Sequence, residues 1–600
     1  MEQKFYSKEN LKFLLHEVFN VEELCQRDAY KEHTLEEFDM IIEAADSLST
    51  NHLRPILVEM DRTPPYMEKG RIKVHPKMRE IMKKFGEDGW ISMSAPYAFG
   101  GQQIPFTVLQ ATGFIFGAAN YSPMAYAFLT NGAAHLIETF GTKQLHDTYI
   151  PKMFNGEWQG TMALSEPQAG SSLSDVVTTA TPTAEGHYLI KGQKVFISCG
   201  DHDGCDNIVH LMLARIDGAL AGTKGISLFV VPRSRPDAEG NLVFNDVNTA
   251  GLFHKMGYHG APIAHLIMGE QNDCHGYLLG EPHKGLSYMF HMMNEARIGV
   301  GSNATSIASA AYYYSLDYAN VRLQGRKLSE KDPAKPQTAI INHADVKRML
   351  LFQKSVVEGS LSLVLQACLY YDNWKTTEGE AMEDNHLKLE LLTPMVKSYP
   401  AEMSIQTTSA AIQCLGGYGF TKEFLAELFF RETRIHTIHE GTTAIHGMDL
   451  LGRKVMMNNG KATMLLMQEV MGDIEKAKAH QGLKKYAEAL EAKLLKLQET
   501  TMHLMGVAQS KGPEVFLSDA TLYLELFGII AISWQWIKQG VKVEEQKIAA
   551  TKKYSTEFLN SKIHALEYFF EYELPKTEGL LTRLKSTNHL TINTPAEEIV

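Results

Sequence analysis

The spacing of apolar residues changes period twice along this chain, and that alternation restricts the fold more than any other feature. Up to about residue 159 the period is helical. Met78-Arg-Glu-Ile-Met-Lys-Lys-Phe85 places apolar groups three and four residues apart, and Asn131 to Phe140 predicts another helix that Gly141 is placed to stop. From about Gly160 to Glu281 the texture is that of strands. Tyr188-Leu-Ile, a Lys191-Gly192 turn and Val195-Phe-Ile read as a hairpin, and Ile208 to Leu213 and Gly225 to Pro232 read as further strands between Gly and Asp clusters. No long helical pattern interrupts them, so an antiparallel sheet or small barrel fits better than a βαβ unit. Helical spacing returns from about Gly285 to Lys454. There Val357, Leu361, Val364, Leu365 and Cys368 share one face, and polar stretches near Ser329 to Gln337 and Thr376 to Asn385 read as loops. A last helical region runs from about Ala462 to Val600. Its seam of Leu483, Tyr486, Leu490, Leu494, Leu497 and Leu504 is expected to pack on the same chain.

These changes divide an α+β chain into residues 1–159, 160–281, 282–455 and 456–600. At 600 residues the chain is too long for one compact core. The net charge of −12 argues against a protein built to grip phosphate backbones, so no nucleic-acid partner is expected. The six cysteines are scattered without a C-x-x-C pair, which points to a reducing, cytoplasmic setting. The first residues show no basic stretch followed by an apolar one, so no signal peptide is expected. The apolar run from Leu522 to Ile537 contains Glu525 and reads as too short to cross a bilayer, so no transmembrane segment is expected.

Three segments carry chemistry: Met162-Ala-Leu-Ser-Glu-Pro-Gln-Ala-Gly-Ser171, Gly192-Gln-Lys-Val-Phe-Ile-Ser-Cys-Gly200, and Gln413-Cys-Leu-Gly-Gly-Tyr-Gly419 followed by Arg431 and Ile438-His-Glu-Gly-Thr-Thr443. Each alone is bland: a turn, a strand, a helix stop, a surface carboxylate. In this order and spacing, from roughly Val74 to Lys454, the chain resembles the acyl-CoA dehydrogenase family. The resemblance implies that family's fold: an N-terminal helical domain, a central antiparallel β domain and a C-terminal four-helix bundle, here followed by an additional helical domain. It also implies FAD as cofactor and an acyl-CoA thioester as substrate. The length and the N-terminal extension most resemble the long bacterial members, the group that contains methylthiopropanoyl-CoA dehydrogenases.

Carried over residue by residue, the resemblance puts Met162, Leu164 and Ser165 against the flavin ring, with the Ser165 hydroxyl beside N5. Gly170 and Ser171 belong to the same lining, and Ser171 would also touch the acyl-CoA. Phe196 stands where relatives place an aromatic against the flavin face, and Ser198 replaces a hydroxyl residue that bonds the flavin. Arg322 and Gln324, with Gln413, Gly416 and Gly417, match the residues that reach the pyrophosphate and adenine end of a neighbouring subunit's flavin, which implies a homodimer. Arg supplies bidentate charge, and glycines permit close approach of backbone to phosphate. Thr442 would contact the flavin. Gln168 and Ser172 stand where relatives commonly have Gly and Asp, and Ala444 where a relative has a polar residue.

Removing a proton α to a thioester carbonyl requires a carboxylate base, donors for the thioester oxygen and a hydride acceptor. The resemblance assigns the base to Glu440 and one oxyanion donor to its backbone N–H, with Gly441 next to it on the substrate side. Some relatives place the base on another helix, one residue before an Arg. In Asn294-Glu-Ala-Arg297 that position is Ala296, which cannot act. Arg297 would help set the substrate pocket, and Asn294 would meet the CoA chain. Electrons are expected to pass to an electron-transfer flavoprotein. An acyl-CoA oxidase is the alternative, and a DNA-associated stress flavoprotein of the same fold is disfavoured by the acidic charge. Gly299-Val-Gly-Ser-Asn-Ala304 sits inside a helical pattern and not at a strand–helix turn, so no Rossmann site is expected. His436, His439 and His446 do not match H-E-x-x-H, so no metal is expected.

Overall fold

The computed structural model describes residues 4–330, 332–549 and 552–600. The chain forms two compact units, Asp39–Pro105 with Ile115–Ala296, and Met1–Phe38 with Phe106–Phe114 and Arg297–Val600.

In the first unit, helix α1 (Lys77–Glu87) buries Met78, Ile81, Met82 and Phe85, the face its spacing predicts. Helix α2 (Phe106–Phe140, in this unit its residues from Ile115 on) is broken at Asn120, which has φ −163°. Pro123 lies three residues on and cannot donate into the preceding turn, which accounts for a break here. Gly141 caps its end, its N–H bonded to the Ile137 carbonyl.

The strands are β1 (Trp158–Ala163), β2 (Thr179–Pro182), β3 (Tyr188–Ser198), β4 (Asn207–Ile216), β5 (Ile226–Pro232), β6 (Val247–Leu252), β7 (Ile263–Met268) and β8 (His275–Leu279). Their order is β6-β7-β3-β8-β5-β4-β1, and β2 pairs with both β3 and β4. The path β3-β8-β5-β4-β2 therefore returns to β3 and closes a small barrel. Ile190, Ile197, Met212, Phe229, Val231 and Leu266 belong to the core of this strand region.

Two expectations change here. The β1·β4 and β2·β4 pairs are parallel, whereas an antiparallel domain was expected throughout. Period-two alternation is the same for either direction, so spacing alone cannot distinguish them. The expected hairpin at Lys191-Gly192 is also absent, because β3 runs unbroken through both residues. Gly192 serves a close approach instead: a Cβ there would lie 2.5 Å from Thr178 Oγ1.

The second unit is helical: α3 (Gly285–Val321, its residues from Arg297 on), α4 (Ala344–Thr376), α5 (Gly379–Leu415), α6 (Thr443–Gly452), α7 (Lys461–Lys478), α8 (Lys484–Lys511), α9 (Ala520–Ile548) and α10 (Thr556–Tyr568). The stretch Thr376 to Asn385, expected as a loop, is mostly the first turns of α5. Gly379 at φ +60° reverses the chain, and the Glu and Met residues beyond it suit an exposed helical start.

One hydrophobic core joins α4 and α5 to α7, α8, α9 and α10, and the predicted seam from Leu483 to Leu504 packs into it. The apolar run from Leu522 lies in α9. This helix is long and apolar enough to cross a bilayer by length and composition, unlike the shorter run read from the sequence, but 83% of its most apolar window is buried in protein. Trp536 Nε1 donates to the Ser355 carbonyl at 3.1 Å, and Gly359 lets α4 and α9 approach, since a Cβ there would lie 2.7 Å from Ile532.

Candidate active site

In the β unit, β1 delivers Met162 at its end and Leu164 and Ser165 just beyond. Glu166 and Ala169 exchange backbone hydrogen bonds of 2.8 and 3.0 Å, so Pro167 and Gln168 form a tight turn. That turn hangs on a buried ion pair. Lys194 Nζ lies 2.8 Å from Glu166 Oε1 and donates to the Leu164 carbonyl at 3.0 Å. Thr178 Oγ1 and the N–H groups of Val177 and Thr178 also donate to the Glu166 carboxylate. Burial disfavours that carboxylate's charge, but Lys194 and these hydrogen bonds prevail and hold its pKa below the ordinary range. Gln168 donates to Glu166, and Ser172 bonds Ser174 and Asp175, so both residues are engaged within their own loop. Gly170 and Ser171 are exposed.

Val195 N–H donates to the Ser165 carbonyl at 3.0 Å, so Ser165 lies beside the strand that carries Phe196 and Ser198. Phe196 adopts φ +58° inside β3, where the register with β7 shifts. A bulky residue in this conformation is uncommon and marks a bulge that re-aims the side chain. The ring is 63% exposed and stacks on Phe253 at 4.5 Å. An outward aromatic beside partly exposed hydroxyls at Ser165 and Ser198 suits a planar, hydrogen-bonding ring system such as a flavin.

In the helical unit, the segment before α6 makes a left-handed turn, with Glu440 at φ +53° and Gly441 at φ +90°. Two side chains hold its carbonyls. His446 Nε2 lies 3.0 Å from the Glu440 oxygen, and Lys397 Nζ lies 2.6 Å from the Gly441 oxygen. A carbonyl only accepts, so His446 carries its hydrogen on Nε2. Its Nδ1 is buried and without a partner among the described residues.

Glu440 is partly buried, and desolvation raises its pKa against the opposing charges of Arg297 and Lys397. Arg297 is itself buried, 3.6 Å from Asp449, and its Nε has no hydrogen-bond partner among the described residues. Burial lowers His439 and His446 to about 3, so both are neutral. Thr442 stands at the N-cap of α6. This turn thus brings Glu440, Gly441, Thr442 and Arg297 into one neighbourhood.

A second group lies on the surface of the same unit. Arg322 stacks over Tyr418 at 5.7 Å, beside exposed Gly416 and Gly417, where a Cβ would meet nothing. Gln324 pairs its backbone N–H with the Thr338 carbonyl, and exposed Gln413 ends α5. In the other unit, Asn294 is partly exposed on α3, and Glu295 lies 3.5 Å from His135.

Family models for the acyl-CoA dehydrogenase N-terminal, middle and C-terminal domains match residues 35–157, 161–270 and 283–455, and an acetyl-CoA dehydrogenase C-terminal-like model matches 466–595. The chain is 33% identical over 95% of its length to 3-methylmercaptopropionyl-CoA dehydrogenase of Ruegeria pomeroyi, covering 97% of that protein. The chain belongs to the acyl-CoA dehydrogenase family.

It is an oxidoreductase of this FAD-dependent family. It is also 30% identical to a butyryl-CoA dehydrogenase of Syntrophomonas wolfei, with 99% of each chain covered. Among solved structures, Caenorhabditis elegans ACDH-11 in complex with C11-CoA shares the fold at TM-score 0.76 and 20% identity, over 95% of this chain and 91% of that one. Sequence reasoning missed Glu166, Lys194, Lys397 and His446 as supports of these segments. The available signal was charge out of place: Lys194 in a strand, and Lys397 inside the run Leu391-Leu-Thr-Pro-Met-Val-Lys-Ser-Tyr399.

Proposed function

We propose that this protein catalyses α,β-dehydrogenation of an acyl-CoA thioester to the trans-2-enoyl-CoA, with Glu440 as the base for the α-proton. The carrying observation is the Glu440-Gly441 turn. It holds a desolvated carboxylate whose pKa is raised, with Arg297 and Lys397 as counter-charges that favour ionisation. A base whose pKa lies nearer neutrality takes a carbon-bound proton more readily, and the two cations keep it ionised beforehand. The proton ends on the Glu440 carboxyl. The Glu440 N–H is the donor for the thioester oxygen, and Gly441 leaves room beside it. FAD, when bound, supplies the two-electron acceptor.

Met162, Leu164, Ser165, Gly170, Ser171, Phe196, Ser198 and Thr442 would hold the flavin ring side. Arg322, Gln324, Gln413, Gly416 and Gly417, exposed on a single chain, would reach the flavin of a second copy in a homodimer. Ser171, Asn294 and Arg297 would face the acyl-CoA. An electron-transfer flavoprotein is the expected acceptor of the electrons. The two full-length relatives named above bear the names of short acyl-CoA substrates, so short thioesters are the first class to test.

The test is Glu440→Gln, assayed with butyryl-CoA and methylthiopropanoyl-CoA and a ferrocenium acceptor. The variant should keep its flavin absorbance but lose flavin bleaching and turnover. Retention of most turnover would refute the assignment.

A further inference from the structure

We propose that Lys397 is a positioning residue for the Glu440 base. Its ammonium, hydrogen-bonded to the Gly441 carbonyl, holds the left-handed turn and keeps the carboxylate ionised. The proposal rests on the reading of Glu440 as the base.

Lys397 lies in α5 between Pro394 and Pro400, and its side chain is fully buried. An ammonium out of water must be offset by close polar partners. Among the described residues, Lys397 directs its hydrogen bond to the Gly441 oxygen, at 2.6 Å, and not to a carboxylate. The acids whose charges act on it are Glu440 and Glu402, and the opposing cation is Arg297. Glu402 accepts from Thr443 Oγ1, and Arg297 lies by Asp449. The other titratable neighbours are His436, His439 and His446, all kept neutral by burial, with the Lys397 charge contributing to each. The positive charge acting on Glu440 therefore comes from Arg297 and Lys397.

The geometry adds a mechanical role. Lys397 and His446 hold two successive carbonyls, Gly441 and Glu440, which orients the peptide planes on either side of Gly441. Glu440 has a left-handed backbone conformation that L-residues seldom adopt, so the turn needs such outside support. Burial also lowers the Lys397 pKa to about 8, so its charge is present at neutral pH and is lost in mild alkali.

The test compares Lys397→Met and Lys397→Arg with Glu440→Gln and the parent, all as purified flavoproteins. In Lys397→Met, kcat should fall about 10- to 100-fold, the range of a lost buried charge-assisted hydrogen bond. The acid limb of kcat should move to higher pH, because a cation favouring ionised Glu440 is gone. Lys397→Arg should restore part of both. Independently of turnover, hydrogen exchange over residues 436–446 should speed up in Lys397→Met. The parent should show an alkaline limb in kcat near pH 8, which tests the proposal even if the Met variant fails to fold. An unmoved acid limb with unchanged exchange, or a parent profile flat from pH 7 to pH 10, would overturn the role of Lys397. A fully active Glu440→Gln would instead overturn the base assignment, so the two failures are separable.

Discussion

The buried pair Lys194–Glu166 offers the sharpest test of how the β unit carries the segment proposed to face the flavin. Both side chains are essentially inaccessible, and the ammonium also serves the Leu164 carbonyl, next to Ser165. Lys194→Met removes the cation and leaves Glu166 buried with neutral donors only. Breaking one side of a buried pair typically costs about 3–5 kcal/mol, because a charge is stranded. For a unit of this size about 1 kcal/mol moves the thermal midpoint by roughly 2–4 °C, so a fall of roughly 6–20 °C is expected. The double variant Glu166→Gln/Lys194→Met removes both charges and should lose less than the single one. Flavin should be released earlier in the single variant, since the turn bearing Ser165 loses its anchor. Thermal unfolding by circular dichroism, with flavin fluorescence as a second signal, reads all three. A shift of only about 2 °C in Lys194→Met, or a double variant no better than the single, would refute the reasoning.

Two further outcomes follow from the helical turn and the buried histidines. Gly441→Ala forces a side chain into φ +90° with its Cβ 2.9 Å from His446 Nε2; kcat should drop at least about tenfold while the fold loses only about 1–2 kcal/mol, checked by turnover and thermal midpoint together. Burial lowers His202, His210, His439 and His446 to about 3. The unfolded chain binds their protons near pH 6.5 and the folded one does not, so this stability is complete above that value and lost as pH falls towards 3. Each histidine contributes a slope of up to about 1.4 kcal/mol per pH unit. Denaturant titrations at pH 7, 6 and 5 should show a falling midpoint, less steep in His210→Gln. A midpoint independent of pH across this range contradicts the buried, neutral histidines.

Local pattern carried much of the fold. The helix Lys77–Glu87, the strands Asn207–Ile216 and Ile226–Pro232, and the seam from Leu483 to Leu504 are readable because burial on one face imposes a period on the residues. The misread elements share a cause. Gly192 reads locally as a turn but serves a close pass by Thr178, which lies opposite it just before the start of the neighbouring antiparallel strand, 14 residues earlier in the chain. The polar stretch after Glu378 reads as a loop because an exposed first helical turn has the same composition. The apolar run from Leu522 to Ile537 reads as too short to cross a bilayer, but it belongs to the longer helix Ala520–Ile548, whose full length is set by the flanking, more polar turns.

The candidate site divides in the same way. The family resemblance, carried by short motifs that keep their spacing along the chain, brought forward Glu440, the vacancy at Ala296, and the segments around Ser165 and Phe196. Partners from distant segments are a different matter: Lys397 reaches Gly441 across 44 residues and Lys194 reaches Glu166 across 28. Parallel pairing of β1 with β4 is equally non-local. What the amino-acid order determined by itself was periodicity and motif, both properties of neighbours in sequence. Which charges are buried together, which carbonyls they hold and how strongly Glu440 is desolvated were decided only by tertiary packing, since desolvation and Coulomb energy depend on distance in space.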